Sequence, residues 1–289
     1  MEQGEMTGTV ERKLRVVSIS SGKGGVGKTV LTLNLAHIYQ SLGHRVLVID
    51  GNLGNGNVDS LFRSLSEYSL VDVARGVVPI GKVLKRTPSG IFFLPAGSAL
   101  GTTTSLTTEE KLTLFSELDS LEDVADLVLV DCPSGIHDVT LFFVRSSTDL
   151  VCVTTPEITS VISTLSFLTL LSSRGEKEAG IIVNMTEDDG DGTNTFEVIS
   201  EQVGKEGGMK VHYIGHFPYD YTVIESIRFL QPLVEKEGKG HLRGYLLNIA
   251  QEILRNPPEE KIKKCQQFFT RRLLREEHDT IFKANEVGQ

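Results

Sequence analysis

The chain has 289 residues, of which 39% are hydrophobic and 23% charged, enough apolar content for one large α/β core or two small domains. Lysine and arginine number 29 against 38 aspartates and glutamates, and the net charge of −9 argues against a surface coated for nonspecific nucleic-acid binding. Three cysteines, Cys132, Cys152 and Cys265, are too sparse for a disulfide framework or a four-cysteine metal site and fit a reducing cytoplasm. The opening stretch MEQGEMTGTVERK has neither the apolar core nor the positive leader of a signal peptide. No later stretch reaches the roughly 18 apolar residues that suggest a membrane span, so a soluble cytoplasmic body is expected.

Taken in chain order, short apolar runs predict strands over Arg15–Ser20, Arg45–Asp50, Ile91–Leu94, Leu127–Asp131, Leu150–Thr154, Gly180–Asn184 and Val211–Gly215. These runs lack the polar alternation of a half-exposed sheet and read as strands covered on both faces. Helices are predicted over Lys28–Ser41, Glu109–Leu118, Ile158–Ser172, Thr222–Phe229 and Gly240–Arg255. Strands and helices in alternation make parallel strands with right-handed crossovers the economical topology. The stretch Thr186–Gly208 is polar and glycine-rich at both ends and reads as a variable surface loop around a short helix. Pro257 and Pro258 then part the body from a charged tail. The expected organisation is a flexible extension over 1–14, a body over 15–256 and a tail over 257–289.

The sharpest feature is Gly22-Lys23-Gly24-Gly25-Val26-Gly27-Lys28-Thr29, with Val30 following, set between a predicted strand and a predicted helix. Glycines let backbone N–H groups curve around phosphate oxygens, Lys28 can neutralise the β- and γ-phosphates, and the Thr29 hydroxyl can join a Mg2+ shell. Asp50 and Asp131 each end a strand. Such carboxylates converge at the phosphate end of a parallel sheet and can hold Mg2+ directly or through water. The competing reading is that one of them merely caps the turn that follows.

Lys23, an early lysine in addition to Lys28, makes the loop resemble the deviant Walker A motif of the MinD/ParA family of P-loop ATPases. Asp50–Asp59 is similar to that family's first switch segment, Asp131–Ile136 to its second, and Thr154–Glu157 to its later strand-to-helix junction. Pro95–Ser98, Asn184–Met185 and Gly215–Asp220 extend the resemblance over about residues 15–255, nearest in wording to the MinD and FlhG branch. The start lacks the glutamine-rich activating motif usual in FlhG proteins, and the chain has no CxxC pair of the iron–sulfur carriers in the same superfamily.

The resemblance implies an α/β P-loop NTPase fold with a mostly parallel seven- or eight-stranded sheet and helices on both faces. It implies ATP and Mg2+ as cofactors, bound by a nucleotide domain over 15–256, and an ATP-dependent homodimer in which Lys23 reaches the partner's nucleotide. It also implies that Asn184 recognises adenine, that Pro218, Tyr219 and Asp220 line the base, and that a regulatory protein partner reads the switch. Asn52 departs from the pattern, because active relatives generally carry aspartate there to orient or activate the attacking water. An amide can hydrogen-bond that water but cannot take its proton. A spatial or flagellar regulatory switch with tight Mg-ATP binding and slow or partner-dependent hydrolysis is therefore expected. The rivals are a non-hydrolysing ATP-bound scaffold and a DNA-partitioning ATPase, the second disfavoured by the net acidity.

Residues Lys261–Arg275 carry six basic residues and no acidic one. At helical spacing Ile262, Cys265, Phe269 and Leu273 share one face, opposite Lys263, Lys264, Arg271 and Arg275. Such a helix can lie peripherally on the anionic inner face of the cell membrane, as the C-terminal helix of MinD-like proteins does, or dock on protein; DNA contact is the remaining reading.

Overall fold

The inner strands are buried from end to end because side chains on both of their faces meet helices. Strand β1 (Arg15–Ser20) is followed by α1 (Lys28–Ser41) and β2 (Val46–Asp50). Short helices α2 (Leu70–Ala74) and α3 (Ile80–Val83) lead into β3 (Lys85–Arg86) and β4 (Phe92–Leu94). Then come α4 (Thr108–Asp119), β5 (Leu127–Asp131), α5 (Asp138–Ser146), β6 (Asp149–Thr154), α6 (Ile158–Ser173) and β7 (Glu178–Thr186). The last elements are α7 (Asp189–Glu206), β8 (Lys210–Pro218), α8 (Tyr221–Arg228) and α9 (Gly240–Arg255). This computed structural model describes residues 14–53, 56, 58, 66–97, 106–121, 123–206, 208–228, 233 and 240–255. The extension before Leu14, the tail over 257–289 with its amphipathic stretch 261–275, and Asp59 lie outside the described residues.

The eight strands form one sheet in the order β3-β4-β2-β5-β1-β6-β7-β8. All neighbours pair in parallel except β3 and β4. Alternate residues of the central strands feed opposite cores. Val17 and Ile19 of β1 pack with Val48, Leu129 and Val151 beneath α1 and α9, whereas Val16 joins Leu47, Val128 and Val130 beneath α2, α4 and α5. A third core, with Cys152, Ile181 and Val183, lies under α6 and α7. Each fully buried aliphatic side chain contributes about 1.5–3 kcal/mol, so these runs specify strands without any polar alternation.

The fold agrees with the expected one: a mostly parallel sheet flanked by helices. The seven predicted strands are all present, and the eighth, β3, is a two-residue antiparallel edge. The stretch after Thr186 requires a correction, since it is an 18-residue helix, α7, rather than a loop around a short helix. Asp188 Oδ1 accepts the N–H of Asp191 at 2.8 Å, and Asp189 and Asp191 sit in the first turn, where the helix dipole favours acids. Phe196, Ile199 and Val203 then pack on the β7 side chains Ile181 and Val183 at helical spacing. Gly192 lets the helix come close to β8, as a Cβ there would lie 2.7 Å from the His216 Cβ. The glycines and acids that suggested a loop thus belong to a capped and closely packed helix start.

Candidate functional site

Strand β1 is flanked by β5 and β6 although the chain runs first to β2 on the far side of β5, so the strand order reverses at β1. The crevice beyond the carboxyl ends of strands at such a reversal is where ligands of these sheets bind. The loop Ser21–Gly27 occupies it. Gly25 (φ 79°) and Gly27 (φ 90°) take left-handed conformations that wrap the backbone and hand it directly to α1. Gly22 lies hard against α6: a Cβ there would meet the Ser163 carbonyl oxygen at 2.1 Å. A Cβ on Gly27 would strike Asn184 Nδ2 at 2.2 Å, and Asn184 Nδ2 donates to the Val26 carbonyl at 2.7 Å. Strands β1 and β7 and helix α6 therefore fix this loop.

Lys28 is buried at the start of α1, and its ammonium donates to Ser21 Oγ at 2.7 Å, which in turn donates to the Lys23 carbonyl at 2.6 Å. Burial lowers the Lys28 pKa, and the nearby Asp131 carboxylate opposes that effect. Asp131 is pushed up to about 7, chiefly by burial, with Asp50 adding repulsion and the Thr29 hydroxyl and Lys28 acting the other way. Thr29 Oγ1 donates to Asp131 Oδ2 at 2.6 Å. Among the described residues Asp131 Oδ1 is buried with no hydrogen-bond partner. Asp50 stands beside Asp131 in register on β2 and accepts the N–H groups of Asn52 at 3.0 Å and Val58 at 3.1 Å. A hydroxyl, an orphaned carboxylate oxygen and a second carboxylate form a hard oxygen set that suits Mg2+. In this set Asp131 Oδ1 is the oxygen without a partner, neither carboxylate lines the cavity beside the loop, and Asp50 also ties down the backbone of Asn52 and Val58 in the manner of a turn cap.

A cavity of about 310 Å³ runs from the loop towards β7, β8 and α8. It brings together the expected Gly25, Gly27, Lys28, Thr29, Val30, Asn184, Pro218, Tyr219 and Asp220. Gly22, Lys23, Gly24, Val26 and Asn52 do not line it. Asp220 has part of its capacity engaged, as Oδ1 accepts from the N–H and Oγ1 of Thr222 at 2.7 and 2.6 Å and so caps α8. Lys23 points away from the cavity, pairing through Nζ with Glu157 Oε2 at 2.8 Å and Thr159 Oγ1 at 2.9 Å within its own chain.

Several lining residues escaped the sequence reading. Leu31, Asn34, Phe217, Val223, Ile224 and Leu246 complete the walls, and the partly exposed Met185 sits at the mouth. Ser21 was legible only as the residue between strand and loop, though it holds Lys28. Met185 has φ 60°, the single positive φ on a non-glycine among the described residues, a conformation that costs an L-residue roughly 1–2 kcal/mol. Cys132 and Cys152 are buried below the loop, their thiols pushed up to about 12 by burial, which makes them inert packing groups.

Comparison with known proteins agrees with this geometry. Residues 12–254 match the ParA family model, described as NUBPL iron-transfer P-loop NTPase. The antiactivator FleN of Pseudomonas aeruginosa is 28% identical over 262 residues, covering 90% of this chain and 94% of that protein. A putative septum site-determining protein MinD of Guillardia theta is 32% identical over 225 residues, covering 76% and 81%. Among solved structures, the MinC:MinD cell division complex of Aquifex aeolicus superposes with a TM-score of 0.69 at 25% identity, covering 84% of this chain and 96% of that one. MinD of Pyrococcus horikoshii complexed with Mg-ADP has the same fold, with a TM-score of 0.69 at 24% identity, covering 83% and 96%. With its signature lysine, phosphate loop and paired strand-end carboxylates in place, the chain belongs to the MinD/ParA family of deviant Walker A P-loop NTPases.

Proposed function

We propose that this chain is a MinD- and FlhG-like regulatory switch that binds Mg-ATP, pairs with a second copy around it, and hydrolyses it slowly or only with a partner's help. The observation that carries the reading is an amide at position 52, two residues past the strand-end Asp50, in a chain that gathers Lys28, Thr29 and Asp131 at one glycine-rich loop. Lys28 is held by Ser21 at the end of the loop, while Thr29 and Asp131 present a hydroxyl and a free carboxylate oxygen. Asn52 stands two residues after Asp50, whose Oδ1 accepts its N–H at 3.0 Å. Thr29 and Asp131, with Asp50 behind them, would hold Mg2+, whose charge offsets that of the phosphates. Asn52 can orient a water through its amide but has no carboxylate to receive the proton, so binding is retained while turnover suffers.

In this reading Lys23 exchanges Glu157 for the nucleotide of the second copy, making the ATP-bound dimer the active form. The resemblance to FleN, an antiactivator, to a flagellum site-determining protein of Helicobacter pylori, and to MinD in complex with MinC supports a role in regulating or placing a cellular structure through a protein partner. The basic face over 261–275 gives a dimer two weak contacts to an anionic inner membrane surface, and pairing supplies the avidity. The net charge of −9 disfavours DNA as the surface. Phosphate release from the purified chain and from Asn52→Asp tests the proposal. The aspartate variant is expected to turn over about tenfold to a hundredfold faster, and an unchanged rate would refute the assigned role of Asn52.

A further inference from the structure

We propose that Met185 is a strained clamp on the base half of the cavity, a positioning residue whose thioether covers the nucleobase and sets how tightly it is held. This rests on the reading of the cavity as a nucleotide site. The left-handed backbone at Met185 is one that glycine or asparagine ordinarily takes. The strand pairing creates it: Asn184 pairs with Phe217 and Thr186 with Pro218, so Met185 is bulged out with no opposite residue on β8. Both neighbours are pinned, Asn184 by its bond to the Val26 carbonyl and Thr186 by accepting the Tyr219 N–H at 2.9 Å. A bulge of this kind re-aims a side chain.

The re-aimed side chain lines the cavity, and its Cε lies 3.7 Å from where a Gly27 Cβ would stand. Core packing does not offset the strain, because Met185 remains 39% exposed. A strained backbone that leaves a large apolar side chain at a cavity mouth is the pattern of a ligand clamp. A flexible, polarizable thioether suits the face of a flat aromatic ring and makes no demand on its hydrogen-bonding edge. Met185 therefore contributes to affinity for the base-bearing part of the ligand and leaves the phosphate part alone.

Calorimetric titration of the full chain with Mg-ATP and with Mg-tripolyphosphate, which has no base, separates these parts. Met185→Gly, which relieves the backbone, is expected to weaken Mg-ATP binding about tenfold, leave tripolyphosphate binding within about twofold, and keep or raise the thermal unfolding midpoint. Met185→Leu, which keeps the strain and the apolar bulk, is expected to hold Mg-ATP within about threefold of the unaltered chain. Equal Mg-ATP affinity in Met185→Gly and the unaltered chain would overturn the clamp while leaving the nucleotide reading intact. Equal loss of both ligands would also overturn it, placing Met185 in the packing of Gly27. An unaltered chain that binds tripolyphosphate but not Mg-ATP would refute the nucleotide reading itself.

Discussion

Two buried cations stand at opposite ends of the same strand and loop, and their surroundings differ sharply. Arg15, at the start of β1, forms a two-bonded pair with Asp149 at 2.9 and 2.8 Å. Its remaining donors reach the carbonyls of Leu254 at 3.0 Å and of Ile253, closing the last turn of α9. Lys28, past the other end of β1, has Ser21 Oγ as its one hydrogen-bond acceptor among the described residues, and burial lowers its pKa. A buried charge with a carboxylate and two carbonyls as acceptors is part of the framework. One left short of acceptors beside an orphaned carboxylate oxygen is built to meet a ligand. The difference separates a residue that holds the fold from one proposed here to hold a phosphate, although both are buried and basic.

Removal of the two cations is expected to have contrasting effects on stability. Arg15→Ala takes the guanidinium from Asp149, which keeps the Thr148 hydroxyl at 2.6 Å, and from two helix-end carbonyls, and urea unfolding is expected to show a loss of about 3–5 kcal/mol. Lys28→Met removes an incompletely paired ammonium, and the ligand-free protein is expected to keep its stability or gain about 1 kcal/mol, while Mg-ATP affinity falls about tenfold to a hundredfold. A large loss of stability in both variants would erase the distinction.

A smaller effect is expected at the edge of the sheet. Asp189 accepts from His216 Nε2 at 2.9 Å and from Tyr245 Oη at 3.0 Å, joining the start of α7 to β8 and α9. Those bonds hold its carboxyl below the usual value of 3.8. The folded form therefore binds fewer protons here than the unfolded chain just below pH 3.8, so this stabilisation is complete above that pH and fades as the pH falls through the folded value. Urea midpoints measured between pH 2.5 and 5 are expected to show a slightly shallower acid decline for Asp189→Asn. An identical decline would mean that the network contributes nothing to α7.

What the sequence disclosed divides along the same lines. The loop, the strands and the convergence of Asp50 with Asp131 were legible because they rest on local order and on the register of neighbouring parallel strands. The fit of Thr29 to Asp131 followed from that convergence. Helix α7 was not legible as a whole, since glycines and acids dominate its first turns and the packing that selects a helix comes from β7 and β8. Arg15 with Asp149, and Lys23 with Glu157, join residues 134 positions apart, a separation no local pattern reveals. The left-handed backbone of Met185 comes from a mismatch between two strands, which leaves no mark on either one alone.

In the proposed switch, γ-phosphate controls pairing and Asn52 makes the paired state long-lived. The most direct measurement is the molar mass in solution with Mg-ATP, with Mg-ADP and without nucleotide, with phosphate release followed in the same samples. A doubled mass with Mg-ATP alone and little phosphate released over the measurement are expected. The same mass in all three states would contradict this control of pairing and leave a nucleotide-binding scaffold in place of a switch.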